Sequence, residues 1–288
     1  MNGKSRKIIL DIAIVILIIA LVVIADIVIS KFRSNPAEEK IAKNGQSAAT
    51  DSLALLPIAA NEKVFLPILN FHHIDKAPAN LSAVDKSFYI EPAKFEDILN
   101  KLIAADYRPV FTSEIVNGLK DLKIPDEKII AITFDDGNED FYTQAWPILQ
   151  KLKIISNIYI MTGVKGKSWL TPEQIIELDK SGLVEIGSHT VYHQKLTKIT
   201  STEALKELIN SKKSLEDLLG KEINIICYPF GLYNQQIEDL AQKAGYEAGL
   251  TFDQDAWQNP DNLFELKRIS VYPGLDVMKF LEKLRDNK

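Results

Sequence analysis

The chain has 288 residues, 46% of them hydrophobic, enough for one large α/β domain with a sizeable buried core and terminal additions. Its formal net charge of −5 argues against a nucleic-acid partner, which requires a basic face. The single cysteine, Cys227, excludes an intrachain disulfide framework and a thiolate zinc site, and its apolar surroundings ("INIICYPF") assign it to core packing.

The N-terminal part reads apart from the fold. Residues 1–7 are a basic tail, and residues 8–30 are almost wholly apolar and long enough to span a bilayer. Asp11 and Asp26 lie toward the ends of that run, where headgroups and water reach them. A cleaved signal peptide would carry a shorter apolar region and a small-residue cleavage site. The expectation is therefore an uncleaved single-pass anchor in the cell membrane, with the rest of the chain outside. Residues 31–62 read as a polar extracellular stem, and residues 63–288 as the folded domain, beginning near Val64.

From there strand-like and helix-like runs alternate. "VFLPILNF" is an apolar run ending at His72. "EPAKFEDILNKLIAADY" places Phe95, Ile98, Leu99, Leu102 and Ile103 on one helical face. "RPVFT" and "KIIAITF" are strands. After Gly137 the residues Phe141, Ala145, Ile148, Leu149 and Leu152 recur at helical spacing, and "KIISNIYIM" is the next strand. "LTPEQIIELDKSG" is a helix with Thr171 as N-cap, Pro172 at its first position, Gln174 completing a capping box and Gly182 ending it. "LVEIGS" (strand), "STEALKELINSKKSLEDLLG" (helix), "EINIICYPF" (strand), "QQIEDLAQKAG" (helix), "YEAGLTF" and "FELKRISVY" (strands) and "DVMKFLEKLR" (helix) complete the domain. About eight strands alternating with helices imply a parallel sheet, either open or closed, and at this length fit a (β/α) barrel, complete or incomplete.

Two clusters carry chemistry. In "ITFDDGNEDF", 132–141, an Asp-Gly step is also a hairpin signal. A hairpin would be followed by period-two alternation; the residues after Gly137 repeat every three to four instead. Asp135 and Asp136 therefore sit where a strand hands over to a helix, which in a parallel barrel is the face that carries active sites. In "GSHTVYHQKL", His189 and His193 follow another strand, and H-x3-H on a helical turn places two imidazoles on one face. Two surface histidines would give the same spacing. Their shared rim with the Asp pair favours a metal set: two histidines and one carboxylate leave positions open for water and substrate, and the other carboxylate is free to act as general base.

"TFDDG" and "SHTVYH" resemble the first two signature motifs of the polysaccharide deacetylases, the NodB-homology domain of carbohydrate esterase family 4, over about residues 65–275. The resemblance implies a distorted (β/α)7 barrel, with Asp135 as base and Asp136, His189 and His193 as metal ligands. By ligand type the expected ion is Zn²⁺, with Co²⁺, Ni²⁺ or Fe²⁺ suiting the same donors. The family's third motif, Arg-Pro-Pro-Tyr-Gly, stands here as "CYPFG", 227–231. The backbone N–H of Phe230 is retained for an oxyanion, but Cys227 occupies the arginine position; Arg268 in "LKRIS" is the expected substitute, or else forms a surface ion pair. The family's C-terminal Leu-x-His is absent, since none of the four histidines lies beyond His193. The pair in "NFHHID" resembles the start of the poly-N-acetylglucosamine deacetylases whose acid-bearing strand is permuted to the N-terminus, which implies His72 as general acid and leaves His73 to packing or support.

The expected function is metal-dependent removal of acetyl groups from N-acetylglucosamine units of an extracellular or cell-wall polysaccharide. Alternatives are an amide hydrolase of the same fold acting on a small or other acylated substrate, and a non-catalytic glycan-binding metal protein. Trp146, Trp169 and Trp257 are candidates either for stacking on sugar rings or for packing.

Overall fold

The computed structural model describes residues 55–59 and 61–286. The expected tail, the anchor at 8–30 and most of the stem lie outside the described residues. Among those described, no helix is long and apolar enough to cross a membrane.

The central sheet consists of β1 (Ile68–Phe71), β2 (Arg108–Val110), β3 (Ile129–Phe134), β4 (Ser156–Ile160), β5 (Val184–Ser188), β6 (Ile225–Cys227), β7 (Ala248–Gln254) and β8 (Leu266–Ser270), all paired in parallel. Seven of them close a ring in the order β1-β8-β7-β6-β5-β4-β3, with β3 returning to β1; β2 pairs with the first half of β3. The expected (β/α)7 barrel is the observed one. Closure makes the first and last strands neighbours, with Ile269 opposite Leu69.

Besides a single turn at Ala83–Lys86, the α-helices among the described residues are α1 (Pro92–Ala104), α2 (Thr112–Lys120), α3 (Trp146–Leu152), α4 (Pro172–Lys180), α5 (Ser201–Leu219), α6 (Gln235–Lys243) and α7 (Val277–Asp286). Strand alternation sorts the core into two layers. Leu69, Phe71, Ile130, Ile132 and Phe134 join the layer that also holds helix residues such as Phe95, Leu99 and Leu178. Their alternates Ile68, Ile129 and Ala131 form a second cluster with Tyr159, Cys227 and Leu250, which fills the barrel. Further along the same inward face the residues turn polar: Thr133, Asp135, Arg268 and His72. That change of polarity along the strands builds the site.

Local signals held where they rested on caps. Thr171 and Gln174 form the capping box of α4, and Gly220, left-handed at φ 69°, ends α5. The helix expected after Gly137 begins as a π-helical turn, Phe141–Ala145, before α3. Several expectations are corrected. Ile103 is 43% exposed, because α1 ends one residue later and turns it away from the buried stripe. The run "VFLPILNF" breaks at Pro67 into β1 and a short strand, Val64–Phe65, antiparallel to Trp257–Gln258. Helix α2 was not among the expected elements, although Thr112, Ile115, Val116 and Leu119 form an unbroken buried stripe; Gly118 lies beside that stripe, where a Cβ would stand 2.9 Å from the Lys123 carbonyl oxygen. Leu55–Pro57 pairs antiparallel with Lys123–Pro125 and Ile58 is buried, so packed chain begins upstream of residue 63. Trp146 is buried in the core.

Candidate active site

Strand β3 is buried along its whole length, and Asp135 extends its ladder by donating its N–H to Phe71 O (3.0 Å). The chain then turns sharply: Asp136 (φ 76°) and Gly137 (φ 81°) are both left-handed, a conformation that aspartate tolerates better than most side chains. The turn gives the adjacent carboxylates separate surroundings. Asp135 points at Arg268, and Asp136 at His189 and His193. The strand-to-helix reading of this segment therefore holds and the hairpin reading does not.

Asp136 Oδ1 lies 3.4 Å from His189 Nε2 and 3.8 Å from His193 Nε2, and the imidazole centroids are 4.7 Å apart. One donor atom from each residue lies within 4.8 Å of the others. His189 Nδ1 is 2.7 Å from the Cys227 carbonyl oxygen, which can only accept, so Nδ1 carries a proton and Nε2 is the nitrogen that faces Asp136. Burial disfavours a second proton on this ring, but the neighbouring Cys227 and the acidic groups of Asp136 and Asp135 raise its pKa well above the ordinary histidine value, so a metal ion would take the place of the Nε2 proton. Burial, with the charge of the neighbouring His189, pushes His193 down to about 4, so His193 is a neutral imidazole near pH 7. These donors fit a divalent cation with imidazole and carboxylate preferences. Asp135, His189 and Cys227 also cluster, but Arg268 already occupies both oxygens of Asp135.

The histidine spacing works differently from the helical turn expected of it. Residues 189–193 are not helical, and Thr190 (φ 65°) and His193 (φ 55°) are left-handed. A loop brings the two rings together.

Arg268 is fully buried and grips Asp135 with two parallel bonds, Nη1 to Oδ1 and Nη2 to Oδ2, both 2.8 Å. It also donates from Nε to Thr251 O and from Nη1 to Thr133 Oγ1. The surface ion pair considered for it is ruled out by this burial. Burial alone would push the Asp135 carboxyl up; the charge and hydrogen bonds of Arg268 outweigh it and hold the group well below the usual carboxylate range. Cys227 is buried as expected, yet its sulfur also touches this pair, 3.1 Å from Arg268 Nη2 and 3.5 Å from Asp135 Oδ1. The small side chain leaves room for a guanidinium arriving from β8.

Phe230 is left-handed (φ 59°) in a tight turn closed by Gly231 N–H to Tyr228 O and Leu232 N–H to Pro229 O. Its own amide lies outside those closing bonds. Gly231 is required there: at φ 64° a Cβ would stand 2.4 Å from Phe252 Cβ. The Phe230 ring is 49% exposed and lies 4.4 Å from that of His193.

His72 follows β1 and places Nε2 3.9 Å from Asp135 Oδ2, its ring between Phe88 (4.6 Å) and Phe252 (5.6 Å). Burial lowers its basicity, only partly offset by the two aspartates. His73 turns elsewhere: Nδ1 is 2.5 Å from Asp140 Oδ2, and the ring stacks on Tyr89 at 4.1 Å. His72, Asp136, His189, His193 and Phe230 line one open cavity of about 440 Å³. A cavity of similar size behind Gly137 is walled mainly by apolar residues such as Ile160, Leu170 and Leu215, and holds none of these groups. The aromatic walls of the site are Phe88, Tyr89, Phe230 and Phe252; none of the three tryptophans lines it. Sequence reasoning missed Phe88, Tyr89 and Phe252: the first two lie in the segment between β1 and α1 that folds back over the barrel mouth, and Phe252 stands near the end of β7.

A profile of the family described as polysaccharide deacetylase matches residues 122–249. The chain is 31% identical over 243 residues to YxkH of Bacillus subtilis, provisionally named a polysaccharide deacetylase, covering 84% of this chain and 83% of that protein. It is 28% identical over 225 residues to the poly-β-1,6-N-acetyl-D-glucosamine N-deacetylase of Staphylococcus aureus, covering 70% of this chain and 77% of that enzyme. Among solved structures, the Streptococcus pyogenes deacetylase PplD, in complex with acetate, superposes with a TM-score of 0.69 at 27% identity, covering 77% of this chain and 99% of that one. With the barrel and the Asp-Asp and His-His motifs in place, these similarities assign the chain to the polysaccharide deacetylase family, hydrolases of amide bonds in acetylated polysaccharides.

Proposed function

We propose that the protein is a metal-dependent N-deacetylase of N-acetylglucosamine units in a polysaccharide outside the membrane. The observation that carries this reading is one cavity holding three metal-suited donors beside a buried, guanidinium-held carboxylate and a fourth imidazole. Asp136, His189 and His193 are the residues that would hold the ion, Zn²⁺ by donor type. An ion there supplies Lewis-acid polarisation of the acetamide carbonyl and favours ionisation of a water.

The protein's own groups divide the remaining work. Asp135 accepts the proton of the attacking water; Arg268 keeps it ionised and oriented, at some cost in basicity. The Phe230 N–H donates to the oxyanion of the tetrahedral intermediate. His72, protonated, delivers a proton to the departing amine. Acetate and a glucosamine unit result, and the amine adds positive charge to the glycan. The aromatic walls offer apolar faces for sugar rings. Poly-β-1,6-N-acetylglucosamine is the favoured polymer, supported by the S. aureus relative and by the placement of His72 ahead of the motifs. The basic tail and apolar run at residues 1–30 support a membrane anchor with the domain on the outer side.

The test is acetate release by purified, zinc-loaded protein from poly-β-1,6-N-acetylglucosamine, peptidoglycan and chitin oligomers. Release from the first, lost on chelation and restored by metal, is expected. Zinc binding without acetate release from any glycan would overturn the enzymatic reading in favour of a glycan-binding metal protein.

A further inference from the structure

Helix α5 buries a stripe in which Ala204, Leu208 and Leu215 are interrupted by Glu207 and Ser211. The two polar residues stand one turn apart on the same face. Glu207 is only 7% exposed and has no ion-pair partner among the described residues. A buried carboxylate is costly unless its charge is met by donors. Here Oε2 accepts two backbone N–H groups, those of Val191 and Tyr192, each at 2.9 Å. One turn on, Ser211 Oγ lies 2.8 Å from Ser188 Oγ, which also receives the Tyr246 hydroxyl at 2.8 Å. Helix α5 thus grips the chain immediately before His189 and again between His189 and His193.

What it grips is strained. Thr190 and His193 are left-handed without being glycine, and Thr190 Oγ1 accepts the His193 N–H at 3.1 Å. Such a loop persists only where its surroundings over-determine it, and free of them it would relax toward conformations that separate the two imidazoles. We propose that Glu207 is a positioning residue: by binding the Val191 and Tyr192 amides it holds the His189–His193 loop in the shape that aims both Nε2 atoms at Asp136. It touches none of the three donors and acts through the backbone. The inference rests on reading Asp136, His189 and His193 as a metal site.

The test is calorimetric titration of Zn²⁺ into metal-free wild-type, Glu207→Ala and Glu207→Gln proteins, with thermal melts of the metal-free forms. Glu207→Ala is expected to weaken zinc binding about 10–100-fold, the usual effect of losing a group that orients a ligand. Glu207→Gln keeps a neutral acceptor for the same amides and is expected to weaken it about threefold to tenfold. At saturating zinc, the turnover of Glu207→Ala should recover most of its loss. A folded Glu207→Ala with wild-type zinc affinity overturns the proposal, since a merely structural carboxylate would change the melt alone. If that variant does not fold, wild-type affinity in Glu207→Gln overturns it. Failure of the wild type to bind zinc would instead overturn the metal reading beneath it.

Discussion

The site has two halves that come together in and beneath the same cavity by different routes. Asp135, Asp136, His189 and His193 lie within the segment 122–249 that matches the family, each pair just past a strand and followed or flanked by left-handed residues. His72 and Arg268 lie outside that segment, on or beside the first and last barrel strands, which meet only because the ring closes. The first half is specified by local sequence, the second by topology. On the proposed mechanism, a catalytic group can therefore be supplied from either end of the chain, provided its strand occupies the right place in the ring.

The largest effect expected from the topological half is at Arg268. Arg268→Ala leaves a fully buried carboxylate uncompensated and should destabilise the fold by about 3–5 kcal/mol, measured by urea unfolding. Arg268→Lys is the sharper probe because it keeps the charge. The folded Asp135 carboxyl is depressed, so its ionised form and the stability tied to it are complete above the ordinary carboxylate range and lost only as pH falls through the folded value. Weakening the pair should move the acid limbs of activity and stability to higher pH. Acid limbs unchanged in Arg268→Lys would mean that Arg268 does not set the base.

His72→Ala is expected to lower the rate by about 10²–10⁴-fold with zinc affinity unchanged. As an acid His72 works only protonated, so activity carried by it falls as pH rises through its folded value, and the variant should lack that limb. His73→Ala should cost less than about tenfold, since its bond to Asp140 is a part-exposed pair of the kind worth about 1 kcal/mol or less. Reversed magnitudes would assign the acid to the wrong neighbour.

The barrel and the meeting of the Asp-Asp and His-x3-His motifs at its mouth were legible in the sequence because both rest on short-range patterns. Helical repeats after Gly137 distinguished a strand-to-helix turn from a hairpin, and counting histidines left the pair at 72–73, from which the family resemblance singled out His72. What the sequence did not carry depends on packing between distant segments. The bond from Arg268 to Asp135 requires β8 to lie within reach of β3 across β1, and sequence spacing contains no trace of it. The loop at 189–193 was read as helical because the i, i+4 interval is the same; its left-handed residues are set by Glu207 and Ser211 from α5. A signal for that grip did exist, as two polar residues falling on an apolar helical stripe, but its meaning needs the loop's position.

The division of labour between the two aspartates is tested most directly by measuring zinc affinity and turnover together in Asp135→Asn and Asp136→Asn. Asp135→Asn should bind zinc within a few-fold of wild type and be almost inactive, since an amide cannot take the proton of water. Asp136→Asn should lose zinc affinity itself, because a neutral amide is the poorer ligand. Substantial turnover in Asp135→Asn, or undiminished zinc binding in Asp136→Asn, would contradict the assignment.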